Sequence, residues 1–447
     1  MSSSDNYSDN SSENNDFSGI VLQSKQNFYG IFKKLGSGAY ADVWLGVNLR
    51  TQIFYALKIT HENDVDSVMK EIKAYDMLKK LKCPNLCEIY ESFECKSNGN
   101  KYFVVVLELL TCSLYDLMKY RFSKGFDPIT VLKITKQICD TLNVLHSHDI
   151  TYSDLKPENI MICNSSQLNK QIVDKYKLVD FKKLYDERFK NIFSWKQLDY
   201  GKINKLFNTI HTLLSNSNTK TKNSDDSESK SNTSETSKHC DGKINVTDSE
   251  NTDDNSNKSE NSNESNSNMS EISHKSEFDD IDIANIKIKI VDFGTVLFDK
   301  AKSFNVQTRY YRSPEIVLKK SCSSKIDMWS LGAIIYELLC NKRLFHPKKT
   351  PIDNRNRHHL KLFADRIGPI PNDLIVPEYK LIYFKSNGEL KNSINTQYDS
   401  LNKSVEKLQL GKLHDLFLNL ITGCLLYDAN ARYSAEFVAN ALSQLNL

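Results

Sequence analysis

From Tyr29 to Thr60 apolar and polar positions alternate in three runs, YGIFKKLG, ADVWLGVNL and IFYALKIT, broken by turn signals at Gly36-Ser37-Gly38 and Asn48 to Gln52. Period-two alternation bounded by such residues predicts strands. The next stretch, VDSVMKEIKAYDMLKKL from Val65 to Leu81, spaces its apolar residues for one face of a helix. CEIYESFEC and KYFVVVLEL then predict two more strands, joined by the hairpin-like SNGN. Downstream the spacing turns helical in LYDLMKYRF, in PITVLKITKQICDTLNVLHSHD and in DMWSLGAIIYELLC. A small sheet with one helix, followed by a larger helical half, is an α+β arrangement of two lobes.

Composition trims the 447 residues before any domain count. The first seventeen residues, MSSSDNYSDNSSENNDF, and the stretch from Ser215 to Glu277, close to half Ser plus Asn, carry little that could form a core. Segments that bury so little apolar surface cannot offset chain entropy and are expected to be disordered. The start has no basic region followed by an apolar one, so no secretory signal is expected. No apolar run approaches the ~18 residues of a membrane span, since Glu108 breaks FVVVLELL and Glu337 breaks LGAIIYELLC. Ten scattered cysteines without CxxC pairs then read as reduced thiols of an intracellular protein, in cytoplasm or nucleus. The net charge of +3 conceals thirteen acids against seven lysines in Ser215–Glu277, so the remainder is distinctly basic. The lysines form no dense tract, which favours a solvated surface over a nucleic-acid site.

Three clusters carry chemistry. LGSGAYADVW at 35–44 places two glycines at a strand-to-strand turn, where backbone N–H groups can approach phosphates. Lys58, in Ala56-Leu57-Lys58, would be costly on a central strand unless paired, and Glu71 on the following helix is available. The third cluster decides the reading. Tyr152-Ser153-Asp154-Leu155-Lys156-Pro157-Glu158-Asn159 supplies a carboxylate base, a cation and a metal-ligating amide in one loop, and Asp292-Phe293-Gly294 supplies a second metal ligand. Phosphoryl transfer needs this set, with a cation over the phosphates and a hydroxyl oriented for in-line attack.

On these motifs the chain resembles the eukaryotic protein kinases over 28–447 apart from an insert. The resemblance implies the two-lobed kinase fold, with a disordered tail (1–27), a small lobe (28–110), a large lobe in two parts (111–162 and 285–447) and a low-complexity spacer (163–284). It implies ATP and Mg²⁺ as cofactors and protein substrates as partners, with no membrane or direct nucleic-acid contact and a monomeric state. Asp154 matches the catalytic base, Lys156 the residue steadying the γ-phosphate, and Asn159 and Asp292 the Mg²⁺ ligands. The ATP site would comprise Leu35, Gly36, Ser37, Gly38, Ala39, Tyr40, Ala41, Asp42, Val43, Ala56, Lys58 and its partner Glu71, with Leu107 as gatekeeper and Glu108 and Leu110 as the hinge. Thr308, Arg312 and Glu315 match the substrate-positioning end of the activation segment, and Asp327 and Arg432 the anchors of the large lobe. Lys177-Leu178-Val179-Asp180-Phe181-Lys182 imitates the metal-binding motif without its glycine and is assigned to the insert.

VQTRYYRSPE, with Arg312 before Ser-Pro-Glu, is similar to the group holding the cyclin-dependent, MAP, dual-specificity, CLK-type and SR-protein kinases. The spacer before the metal-binding Asp, the GPIPNDLI insert and SNGNKYFVVVLELL most resemble the SR-protein kinases. That implies a Ser/Thr kinase for Arg-Ser-rich, splicing-factor-like proteins. The alternatives are the dual-specificity, CLK-type and pre-mRNA-processing kinases, or a pseudokinase scaffold, which the full set of catalytic residues argues against. Ser153 stands where many kinases carry an Arg that clamps a phosphorylated loop, so constitutive activity is expected. The basic balance of the chain outside the insert sits less comfortably with arginine-rich substrates.

Overall fold

In the computed structural model the described residues are 16–38, 41–61, 65–81, 83–97, 99–110, 112–163, 174, 176, 181–189, 199–220, 278, 281–298, 305–348, 354–391 and 397–445. They form two compact units. One comprises Met1–Thr60, Phe93–Val104 and Tyr176–Glu264, and the other His61–Ser92, Val105–Lys175 and Ser265–Leu447.

The first unit is built on a six-stranded sheet. Its strands are β1 (Val21–Gln23), β2 (Phe28–Ser37), β3 (Ala41–Asn48), β4 (Phe54–His61), β5 (Ile89–Ser97) and β6 (Asn100–Leu107), in the order β1-β2-β3-β4-β6-β5. The predicted strands are all present, within one or two residues of their expected ends. β3 and β4 pair antiparallel with Val43 opposite Lys58 and Leu45 opposite Ala56.

Two expectations need correction in this unit. Within the tail expected to be disordered through residue 27, residues 16–27 have defined structure. Phe17 is buried edge-on against Trp44 and Tyr102, with centroids 5.7 and 5.0 Å away, and β1 pairs with β2. Four apolar residues, Phe17, Ile20, Val21 and Leu22, suffice to anchor a segment whose average composition hides them. The spacer is likewise not wholly low-complexity, since it contains helices α4 (Phe181–Phe189) and α5 (Tyr200–Lys220).

Helix α5 covers the β1–β2 edge. Phe207, fully buried, lies 5.2 Å from the Phe32 ring. A Cβ at Gly30 would come within 2.2 Å of that same Phe207 ring, so glycine is what allows the close approach. Asn204 Oδ1 accepts from Val21 N–H at 2.8 Å, Tyr200 donates its hydroxyl to Val21 O, and His211 Nε2 lies 2.8 Å from Phe32 O. Side-chain bonds and aromatic packing thus cap an edge that would otherwise present free backbone groups.

The second unit contains α1 (Val65–Leu78), α2 (Leu114–Tyr120), α3 (Pro128–His146), α6 (Pro314–Val317), α7 (Lys325–Cys340), α8 (Arg355–Arg366), α9 (Pro377–Tyr383), α10 (Leu401–Glu406), α11 (His414–Cys424) and α12 (Ala435–Ser443). Every residue of α7 from Ile326 to Leu339 is buried, which explains why its sequence is apolar nearly all round. Gly332 lets α11 approach, because a Cβ there would meet Cys424 and Leu425 at 2.9 Å. Short strand pairs then place the loops. β9 (Ile160–Ile162) pairs with β7 (Cys112–Ser113) and β10 (Ile288–Ile290), while β8 (Ile150–Thr151) pairs with β11 (Leu297–Phe298). The loop 152–159 therefore runs between β8 and β9, and Asp292–Gly294 between β10 and β11.

The nine described cysteines are all free thiols. No described helix is long and apolar enough to cross a membrane.

Phe207→Ala is expected to destabilise the protein by about 3–5 kcal/mol, whereas deletion of 221–277 leaves stability unchanged. Chemical denaturation of the two variants checks this pair of outcomes.

Candidate functional site

The loop between β8 and β9 holds one carboxylate in a nest of donors. Lys156 Nζ donates to Asp154 Oδ2 at 2.7 Å, and Thr308 donates to Oδ1 through its hydroxyl at 2.7 Å and its N–H at 3.1 Å. Asn159 Nδ2 donates to the Asp154 carbonyl at 3.0 Å and to Oδ2 at 3.2 Å, which leaves the Asn159 amide oxygen free of that contact. Burial works against the Lys156 charge, but Asp154 outweighs it, with Glu158 and Asp292 adding to the effect, and the ammonium pKa rises. Lys156 stays protonated, 3.3 Å from the Thr308 hydroxyl.

Behind this loop sits Asp327, at the start of α7 and fully buried. Its Oδ2 accepts the Tyr152 N–H at 2.8 Å and lies 2.9 Å from His146 Nε2, and its Oδ1 accepts the Ser153 N–H at 2.8 Å. Ser153 has φ of 69°, a left-handed conformation for a residue with a side chain. The turn brings its hydroxyl to the Thr295 carbonyl at 2.5 Å, and its own carbonyl accepts the Gln307 N–H at 2.9 Å. One residue therefore ties down both ends of the segment running from Gly294 to Thr308.

Asp292 also has positive φ, 60°. Its neighbour Phe293 is buried edge-on between Tyr75 of α1 and Tyr152, with centroids 5.9 and 5.5 Å apart. Tyr75 donates its hydroxyl to Glu71 Oε1 at 2.9 Å, and Tyr152 donates to the Val291 carbonyl at 2.5 Å. An ideal Cβ on Gly294 would lie 3.5 Å from both Asp292 Oδ1 and Glu71 Oε2. Glu71, Asp292, Asp154, Lys156, Asn159 and Thr308 thus belong to one neighbourhood of the second unit. Leu107 and Leu110 are buried, and Glu108 holds Lys289 Nζ at 2.9 and 2.6 Å while its N–H donates to the Glu88 carbonyl.

The glycine-rich turn and Lys58 lie in the first unit. Leu35, Gly36 and Ser37 end β2, Ala41, Asp42 and Val43 open β3, and Lys58 and Ala56 sit on β4. The Gly38 N–H donates to the Ala41 carbonyl at 2.9 Å, and Asp42 accepts from Ser37 Oγ at 2.5 Å and pairs with Lys34 at 2.8 Å. Ala39, Tyr40 and residues 177–180 of the imitation motif lie outside the described residues. Phe181, the next residue of that motif, opens α4 in the first unit.

Further along, Arg432 forms a bidentate pair with Glu315 at 2.8 and 3.2 Å, with both side chains nearly inaccessible. Two further Arg432 donors reach the Leu426 and Lys325 carbonyls, so each guanidinium nitrogen has a partner. Arg312 donates twice to the Gln307 carbonyl.

Sequence reasoning missed a buried acidic cluster beside Tyr311. Glu337 accepts the Tyr311 hydroxyl at 2.8 Å, and Arg343 lies 3.9 Å from Glu337 while stacking on Tyr310. Burial pushes the Glu337 carboxyl up to about 7 and raises that of Glu158, whose Oε2 is buried without a hydrogen-bond partner. Only the Glu in Lys-Pro-Glu-Asn and the Glu breaking an apolar helix signalled them.

The donor set fits a hard divalent cation that is completed by phosphate. No group of three or more His, Cys, Asp or Glu among the described residues is placed to hold a metal alone. One carboxylate and one amide oxygen, with waters and substrate phosphates supplying the rest, is how Mg²⁺ is ordinarily held.

A partly buried carboxylate beside a lysine and a hydroxyl, next to an Asp and an Asn suited to Mg²⁺, makes this a phosphotransferase-type site. The chain belongs to the protein kinase family, whose domain matches residues 29–183 and 279–442. It is 28% identical over 380 residues to the serine/threonine-protein kinase SRPK of Physarum polycephalum, covering 81% of this chain and 72% of that one. Identity is 23% over 433 residues with the dual specificity protein kinase CLK1 of Mus musculus, covering 94% and 66%. It is also 23% over 441 residues with the protein kinase dsk1 of Schizosaccharomyces pombe, covering 92% and 80%. The chain is therefore an ATP-dependent protein kinase acting on protein substrates.

The Glu337 shift has a pH signature. Its folded pKa is raised from 4.5 to about 7 by burial, so the folded protein holds a proton that the unfolded chain releases. The associated stability is full below 4.5 and is lost as pH rises to about 7, at up to about 1.4 kcal/mol per pH unit. Denaturation of Glu337→Gln across that window is expected to lack this slope, while an unchanged slope places the proton elsewhere.

Proposed function

We propose that this kinase phosphorylates Ser and Thr in Arg-Ser-rich proteins and needs no phosphate in its activation segment to do so. The observation that carries the second half is Ser153, which holds Thr295 at one end of the segment and Gln307 at the other. Where an Arg would wait for a phosphate, a neutral side chain is already satisfied by the backbone. Arg312 adds to this by holding the Gln307 carbonyl.

Asp154 orients the substrate hydroxyl and accepts its proton as the bond to phosphorus forms. In the present arrangement the Thr308 hydroxyl occupies that acceptor, which marks where an incoming hydroxyl donates. Lys156 stands beside it, charged, to offset the charge on the transferred phosphoryl group. Asn159 and Asp292 would hold Mg²⁺, which when bound neutralises phosphate charge. By the family's pattern the first unit would contribute Lys58 for the α- and β-phosphates, the glycine-rich turn and Ala56, and the second unit Glu71 and, for the base, Leu107, Glu108 and Leu110. The Glu108 N–H is already given to Glu88, so its carbonyl is the hinge group left for adenine.

Support for arginine near the phosphoacceptor comes from Glu158 and Glu337. Glu158 follows Lys156 by two residues, and Arg343 acts on both carboxylates. The negative charge of Glu158, close behind Lys156 in the loop that carries Asp154, favours a substrate arginine at the adjoining surface.

Phosphate transfer by phosphatase-treated protein to Arg-Ser, acidic and proline-directed peptides tests both halves. Transfer is expected on the Arg-Ser peptide, at a rate unaffected by prior dephosphorylation, and Asp154→Asn is expected to lower it by about 10²–10⁴-fold. Preference for another peptide would reassign the substrate, and a large gain on activation-segment phosphorylation would contradict constitutive activity.

A further inference from the structure

Two residues of the second unit that lie outside the catalytic loop form a close ion pair. Lys289 Nζ donates to both carboxylate oxygens of Glu108, at 2.9 and 2.6 Å, with the two side chains only 18% and 21% exposed. Burial works against the Lys289 charge, but the bond to Glu108 and its charge outweigh that effect, and the ammonium pKa rises. A charge so far removed from water is costly to hold unless its partner stays in place.

Both partners are also fastened to backbone. Glu108 Oε2 accepts the Glu88 N–H at 3.2 Å, and the Glu108 N–H donates to the Glu88 carbonyl at 3.0 Å, so side chain and main chain close on one residue. The chain before Glu88 runs along β10. Cys87 N–H donates to the Ile290 carbonyl at 3.0 Å, Ile290 N–H to the Asn85 carbonyl at 2.8 Å, and Asn85 Nδ2 to the Ile288 carbonyl at 2.9 Å. Lys289 sits within this strand, opposite Met161 of β9. Just beyond it, Val291 N–H donates to the Asn159 carbonyl at 3.0 Å, and Asp292 follows. The ion pair therefore joins residue 108 to the strand that leads into Asp292.

We infer that Lys289 is a positioning residue for ATP, which holds the Glu108 peptide in place without itself touching base or phosphate. With the N–H and the carboxylate of Glu108 both bonded, little freedom remains for its carbonyl, the group assigned above to adenine. Loss of the Lys289 charge leaves a partly buried carboxylate that turns toward water and takes that carbonyl with it. The inference rests on the assignment of Glu108 to the adenine hinge. β10 is held to Asn85 and Asn159 by its own backbone groups, so the metal end of the site does not depend on the Lys289 side chain.

The test is binding of adenosine, and of tripolyphosphate with Mg²⁺, to full-length wild type, Lys289→Met and Lys289→Arg. Lys289→Met is expected to weaken adenosine about tenfold while tripolyphosphate stays within about twofold. Its KM for ATP is expected to rise about tenfold with kcat little changed. Lys289→Arg, whose guanidinium also pairs with a carboxylate, is expected to recover most of the affinity. Glu108→Gln keeps an acceptor for the Glu88 N–H and is expected to weaken adenosine to the same degree, alone or combined with Lys289→Met. It carries the test if Lys289→Met fails to fold. Wild-type adenosine binding in Lys289→Met or Glu108→Gln, whatever their thermal melts, would reduce the pair to a structural brace and overturn the inference. So would equal weakening of adenosine and tripolyphosphate. The hinge assignment is read separately, from amide exchange of the wild-type protein at Leu110, which ATP is expected to slow. No slowing anywhere in 107–110 would overturn that assignment and the inference with it.

Discussion

The buried carboxylate of Asp327 is the constraint on which the catalytic region rests. A charge removed from water is tolerated only where donors surround it. Here they are the N–H groups of Tyr152 and Ser153 and the ring of His146, drawn from the loop and from the end of α3. Satisfying Asp327 therefore sets the backbone of the two residues that immediately precede Asp154. The left-handed Ser153 is part of that arrangement, and strain of this kind persists only where surroundings over-determine it.

From that point order spreads outward through hydrogen bonds and packed rings. Ser153 passes it to Thr295 and Gln307, and Gln307 in turn is bound through its side chain to the Tyr311 and Ile326 carbonyls and to Ser330. Arg432 and Glu315 close the far end as a buried bidentate pair, whose loss of one partner would cost about 3–5 kcal/mol. Tyr152 links the same loop to Phe293, and through it to Tyr75 and Glu71 on α1. The described parts of the segment beyond Gly294, at Thr295 and from Gln307 to Ser313, are thus bonded at several points.

Much of this was legible in the sequence, because strands, long helices and the phosphoryl-transfer motifs are local patterns. Asp154, Lys156, Asn159 and Thr308 lie together as the motifs implied. What escaped was non-local. The ordering of Phe17 depends on Trp44 and Tyr102, and averaging over an acidic, Ser-rich tail hides it. Helix α5 has its apolar residues at helical spacing, Ile203, Leu206, Phe207 and Ile210, but the low-complexity run beside it dominated the composition. Ser153 could be recognised as a departure from an Arg, while its two bonds depend on a turn that the residue type does not announce.

The claim that hydrogen bonds to Ser153 replace a phosphate clamp is tested most directly by amide hydrogen exchange over residues 294–313. The measurement compares phosphatase-treated protein with protein phosphorylated in that segment, and includes Ser153→Ala. Equal, strong protection of both wild-type forms, with protection lost near Thr295 in Ser153→Ala, is the result this account predicts. Protection that appears only after phosphorylation, or that survives unchanged in Ser153→Ala, would contradict it.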